Sequence, residues 1–206
     1  MCENDFTLPH PEPLLIVLSG PSGVGKDTII QRMKARDLHF QFVVTATTRL
    51  PRPNEVHGRD YFFYTLEEFN RMIERDELLE YALVYNDYKG IPKQQVRDAL
   101  STGNDVVMRL DVQGATTIRK LCPEALLIFL SPQDEGEMIN RLMERKTESP
   151  EELKLRIATA RHEMTQVGIF DYVVVNREHC QDETVDAIIS IITAEHHRVK
   201  QRVVTL

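Results

Sequence analysis

The stretch GPSGVGKDT, residues 20 to 28, carries glycines and a lysine at the spacing of a loop that cradles phosphates. Glycines let successive backbone N–H groups face one anion at a helix N-terminus, and the lysine then reaches the β- and γ-phosphates of a nucleotide. Gly20, Ser22, Gly23, Val24, Gly25, Lys26, Asp27 and Thr28 form this candidate cradle. The usual pattern, G-x-x-x-x-G-K-[ST], sets a magnesium-facing hydroxyl directly after the lysine. Here that position is Asp27, with Thr28 one place later. A carboxylate there either repels the triphosphate or holds a magnesium ion through water. The helix dipole favours a negative charge at this point, so the expectation is that Asp27 supports ATP binding.

A second group lies in TATTRLPRPNEVHGRDYFF, residues 45 to 63. Arg49 and Arg52 flank a proline turn, with Tyr61 close in sequence. Two guanidinium forks and a phenol suit a second phosphate group. Loop arginines are ordinarily solvated, so this group gains its meaning from the phosphate loop. None of the seven histidines is placed convincingly as a nucleophile.

The elements that must position these groups follow from hydrophobic patterning. LLIVLSG, FVVTATT, VVMRLD, LLIFLS and YVVVN have the near-continuous apolar character of strands buried on both faces, with helical stretches between most of them. This alternation predicts an α/β fold with a doubly wound parallel sheet. LLIVLS, GPSGVGK and DTIIQRMKA read as strand, turn and helix, the setting the phosphate loop needs, with Ile29, Ile30 and Met33 on the helix's apolar face. GRDYFFY and LLEYALVY, within residues 56 to 91, have shorter aromatic patterns that suit a small mixed sheet inserted in the core. Ser149, Pro150 and Glu152 spell a capping box with proline in the first helical position, preceded by a charged loop.

At 206 residues and 42% hydrophobic content the chain fits one well-buried domain. A net charge of −7 argues against nucleic acid as a partner, while a locally basic cleft can still take anionic small molecules. Cys2, Cys122 and Cys180 have no metal-ligand spacing and are odd in number, which indicates a reducing compartment. No run approaches the roughly 18 apolar residues of a membrane-spanning helix. The opening MCENDFTLPHPEP has the pattern of neither a secretory signal nor a transit peptide and is expected to be a disordered lead-in over residues 1–13. The expected location is cytoplasmic, with plastid or mitochondrion as the alternative for a processed form.

From Leu14 to about Ile192 the chain resembles the guanylate kinase family, through GPSGVGK, TTRLPRPNEVHGRDYFF, LLEYALVYNDYKGIP, LDVQGA and DYVVVN in the family's order. YALVYNDYKGIPKQQ, VVMRLDVQGA and RKTESPEELKLRIATAR look most like the plant organellar type. The resemblance implies a P-loop nucleoside monophosphate kinase fold, with a GMP-binding subdomain at about 45–95, a helical lid at about 138–165 and the remainder core. It implies transfer of a phosphoryl group from ATP to GMP, with Mg2+; dGMP is expected as a second acceptor, and the chain is expected to be a monomer or homodimer without a membrane partner.

Carried onto this chain, the family's acceptor-phosphate clamp falls on Arg49, Arg52 and Tyr61, the base pocket on Thr45, Glu80 and Asp111, and the lid arginines on Arg141, Arg145 and Arg156. Lys89 stands where the family commonly has a phosphate-binding tyrosine, Ile91 where a hydroxyl meets guanine, Arg109 where an acid precedes Asp111, and Lys146 where a glycine is common. Arg109 is expected to pair with Asp111 or to hold the pocket. Asp111 also reads as a helix cap, and Glu80 as a solvated charge. Two other functions stay open: a non-catalytic phosphopeptide-binding module of this fold, and a related kinase for a sugar phosphate or another nucleoside monophosphate.

Overall fold

The computed structural model describes residues 11–36, 38–84, 86–143 and 150–206. The strands are β1 (Leu15–Ser19), β2 (Gln41–Phe42), β3 (Ala46–Thr47), β4 (Phe62–Phe63), β5 (Leu78–Val84), β6 (Asp87–Pro92), β7 (Val106–Arg109), β8 (Leu126–Ser131) and β9 (Tyr172–Val175). The helices are α1 (Lys26–Ala35), α2 (Leu66–Glu74), α3 (Lys93–Ser101), α4 (Val112–Leu121), α5 (Glu135–Met143), α6 (Pro150–Thr165) and α7 (Gln181–His196). Five strands form a parallel sheet in the order β2-β7-β1-β8-β9, and four form a mixed sheet in the order β4-β3-β6-β5.

β1 is apolar at nearly every position because both of its faces are covered. Leu14, Ile16 and Leu18 pack with Ile29 and Met33 of α1 and Val185 and Ile188 of α7. Leu15 and Val17, one residue out of phase, pack with Val96 of α3 and Ala115 and Ile118 of α4. β1 lies between β7 and β8, so the loop leaving its C-terminal end emerges where the chain winds away on both sides, the usual place for a ligand in such sheets.

Two of the strands differ from their sequence reading. FVVTATT is not one buried strand: Phe42 belongs to the parallel sheet and Ala46–Thr47 to the mixed one. Between them the Gln95 carboxamide accepts from the Val44 N–H at 2.5 Å and donates to the Val44 carbonyl at 3.1 Å. That side chain substitutes for a ladder partner and lets the backbone leave one sheet for the other. YVVVN is an edge strand, with Val173 53% and Val175 43% exposed, so its apolar run is covered on one face only.

The mixed sheet packs Phe69 of α2 against Ala46 and Leu78 in a small core of its own. α5 and α6, in the stretch read as a lid, share another small core of Met138, Leu142 and Ala160. Pro150 opens α6 as expected. Ser149, Arg145 and Lys146 lie outside the described residues, as does most of the expected lead-in.

Candidate active site

β1 ends at Ser19, and the loop that follows reaches α1 through Gly25, which adopts φ 93° as the residue preceding the helix. A side chain there would meet the Asn176 carboxamide nitrogen at 2.8 Å, so this left-handed position needs glycine. The Lys26 ammonium donates to the carbonyls of Gly20 (2.5 Å) and Pro21 (3.1 Å) and bends back over the loop. Burial lowers its pKa to about 8, against the opposing pull of Glu163. Glu163, on α6, accepts from the Ser22 N–H at 3.0 Å. A carboxylate oxygen thus already occupies a loop donor of the kind that a phosphate would use. Burial raises the Glu163 pKa, with the Lys26 charge opposing.

Asn176, just after β9, donates to the Val24 carbonyl at 2.7 Å. Arg141 of α5 donates to the same carbonyl at 3.0 Å, to the Asn176 carbonyl at 2.8 Å and to Glu137 at 2.5 Å. Arg141 therefore braces the back of the loop. Arg156, on α6, lines the cleft in front of it.

The cleft has a volume of about 610 Å³, and its walls come from both sheets and the lid stretch. From Ser22 to Thr28 the loop forms one wall, and Thr45, Arg49, Arg52, Tyr61, Lys89, Arg109 and Asp111 contribute to the others. Arg49 is held by Glu55 through two donors, at 3.0 and 2.9 Å, and lies 5.1 Å over the Tyr61 ring. Burial opposes the Arg49 charge, yet the hydrogen bonds to Glu55 prevail and raise its pKa. Glu55 also accepts from the Arg52 N–H at 2.7 Å, so one carboxylate organises the whole turn. Burial raises the Tyr61 pKa and lowers that of Lys89, which sits on β6 opposite Ala82.

Glu80 lies on β5, 4% exposed, and is not a solvated charge. Its Oε2 finds no hydrogen-bond partner among the described residues. Burial, and secondarily the charge of Asp111, raise its pKa to about 8. The carboxylate rests on Gly114 of α4, where an added methyl carbon would stand 2.8 Å from Oε2, so any larger residue displaces it. Asp111 caps α4 by accepting from the Gly114 N–H at 2.9 Å while also lining the cleft. Thr45 is buried, its hydroxyl 3.5 Å from the Arg109 carbonyl. Ile91, opposite Glu80 on β6, is fully buried in the core cluster beside α3 and α4.

Arg109 does not pair with Asp111: its guanidinium donates to Asp27 and lies 4.4 Å over the Tyr61 ring. Asp27 is the exposed first-turn carboxylate of α1. As a hard oxygen donor lining the cleft beside Lys26, it fits a hydrated magnesium ion. No group of three or more His, Cys, Asp or Glu among the described residues could hold a metal.

Glu55, Gly114, Glu163 and Asn176 went unnoticed in the sequence. Glu55 had a local signal, three residues after Arg52 in a proline turn. Glu163 had none, since its partner is 141 residues away and it sits among ordinary helical charges.

The family model for guanylate kinase matches residues 12–195. Guanylate kinase 2, chloroplastic/mitochondrial, of Oryza sativa subsp. japonica is 52% identical, over 96% of this chain and 70% of its own length. The guanylate kinase of Caldanaerobacter subterraneus subsp. tengcongensis is 45% identical over 90% of this chain and 89% of its own length. The crystal structure of guanylate kinase from Anaplasma phagocytophilum superimposes with a TM-score of 0.76 at 27% identity, covering 92% of this chain and 89% of that one. With a family model matched along residues 12–195 and relatives this similar over most of its length, the chain belongs to the guanylate kinase family.

Proposed function

We propose that this protein transfers the γ-phosphoryl group of ATP to GMP, and to dGMP, giving ADP and the guanosine diphosphate. The observation that carries this reading is the buried Glu80 Oε2, without a hydrogen-bond partner among the described residues, behind a cleft lined by the phosphate loop on one side and by Arg49, Arg52 and Tyr61 on another. Guanine offers donors at N1 and the exocyclic amine to one carboxylate, whereas adenine has neither at those positions. Thr45 and Asp111 flank that pocket, and the Lys89 ammonium serves the acceptor side as a point charge.

The acceptor phosphate oxygen attacks the γ-phosphorus as the bond to the β,γ-bridging oxygen breaks. The acceptor is already a nucleophilic oxyanion, so the chain's task is alignment and neutralisation. The loop amides and Lys26 hold the donor, while Arg49, Arg52 and Tyr61 hold the acceptor in line. Arg156 reaches the phosphates from α6, and Arg141 keeps the loop in shape from behind. We read residues 45–95 as the GMP-binding unit and α5–α6 as the lid whose closure excludes water. Magnesium, when bound, neutralises charge on the β- and γ-phosphates, and Asp27 is the residue placed to meet its hydration shell. The compartments in the rice relative's name favour the organellar alternative for location.

A coupled ADP-release assay across GMP, dGMP, AMP, UMP and ribose phosphates tests the reading. Turnover confined to GMP and dGMP is expected. Turnover with AMP or a sugar phosphate but not GMP would overturn it, as would binding without transfer to any acceptor.

A further inference from the structure

The residue after the phosphate-loop lysine is an acid where a hydroxyl is usual. In the structure that acid is in direct contact with Arg109, 82 residues later in the chain. The contact follows from topology: Arg109 ends β7, in register with Leu18 of β1, so its side chain emerges beside the head of α1. Its guanidinium does more than bind Asp27. It covers the Tyr61 ring at 4.4 Å and places Nη2 3.4 Å from the Asp60 carbonyl. The side chain is 15% exposed against 55% for Asp27, so the cation is the more buried member of the pair and the costlier one to leave without its acid. One rigid fork thus touches the donor loop's carboxylate and the acceptor clamp's phenol.

Resting on the phosphotransfer reading above, we propose that Arg109 is a positioning residue that holds Asp27 for the magnesium of ATP and Tyr61 for the acceptor phosphate, coupling the two substrate sites through one guanidinium. Asp27 and Arg109 then form a single unit: the acid is useful in the phosphate loop only while the arginine orients it and offsets its charge. The planar fork matters as well as the charge, because an ammonium cannot both stack on the phenol and bridge to the carboxylate.

The test is a double-mutant cycle on the intact chain with Asp27→Ser, Arg109→Met and the double variant. It is read by calorimetric binding of ATP with magnesium and with EDTA, and by the KM for GMP. Arg109→Met should weaken magnesium-ATP binding about tenfold, a size typical of coupled charge pairs, and metal-free ATP should weaken too, since Asp27 then faces the triphosphate uncompensated. It should also raise the KM for GMP about fivefold through the lost stacking on Tyr61. Asp27→Ser changes an exposed side chain and will fold, and it should weaken magnesium-ATP binding as well. The double variant, which restores the usual hydroxyl and removes the unpaired cation, should bind magnesium-ATP better than either single one. Arg109→Lys should recover less than half of the GMP effect. Additive losses in the double variant, or a loss in Asp27→Ser that is equal with and without magnesium, would overturn the proposal. Wild-type protein that binds magnesium-ATP but does not phosphorylate GMP would instead overturn the phosphotransfer reading.

Discussion

Burial brings two groups of the cleft region, Glu80 and Lys26, to about 8 from opposite directions. Glu80, raised to about 8 by burial and Asp111, keeps its proton in the folded protein at neutral pH, whereas the proposed reading of guanine needs its carboxylate. GMP binding at pH 7 should therefore release a proton, and the Kd for GMP should fall by up to about tenfold per pH unit as pH rises toward 8. Calorimetry in buffers of different ionisation enthalpy reads that proton, and its absence would mean that guanine does not meet an ionised Glu80. The same shift bears on stability. The folded state keeps a proton that the unfolded chain loses near 4.5, so this group's contribution is full below 4.5 and is lost as pH rises through about 8. Glu80→Gln should flatten that decline in Tm. Lys26, lowered to about 8 by burial, loses its charge above that pH, and ATP affinity should weaken there. Lys26→Ala should cost on the order of 10²- to 10³-fold in kcat while circular dichroism stays that of the wild type, because the lysine acts on transferred charge and, among the described residues, its ammonium donates to loop carbonyls alone. Normal turnover by that variant would contradict the loop assignment.

At the scale of elements, Gln95 joins the two sheets by satisfying both backbone groups of Val44. Gln95→Ala leaves an N–H and a C=O in a part-buried position without their partner, and a loss of about 1–3 kcal/mol in denaturant unfolding is expected. A change below measurement error would show that water replaces the carboxamide without cost. This joint also marks the limit of what sequence discloses. β1, β7 and β8 are legible because strands covered on both faces are apolar throughout. FVVTATT has the same apolar character, but a glutamine 51 residues away divides it. YVVVN looks like β8 by composition, and only its place at the sheet edge exposes it. In the site, the phosphate loop and the Arg49, Arg52 and Tyr61 group were legible as contiguous motifs. The burial of Glu80 was not, because it depends on Gly114 leaving room on a helix that follows a different strand. Gly114→Ala should displace the carboxylate and raise the KM for GMP with little effect on that for ATP.

For the whole molecule, the parallel sheet carries the glycine-rich loop, the mixed sheet lies across the cleft in the position proposed for the acceptor, and the cleft receives Arg156 and Glu163 from α6. Glu163 already rests on a loop amide, so triphosphate binding must displace or share that contact, which ties the lid stretch to ATP occupancy. The central claim is that the acceptor is a guanine nucleotide read by Glu80, on the opposite side of the cleft from ATP. It is tested most directly by kcat/KM for GMP in Glu80→Ala beside wild type, with the KM for ATP determined in the same experiment. The account predicts a loss of about 2–4 kcal/mol, on the order of 30- to 1000-fold, with the ATP value nearly unchanged, since a charge-assisted pair of bonds and the alignment it supports are both removed. An unchanged kcat/KM for GMP, or a loss that falls equally on ATP, would contradict it.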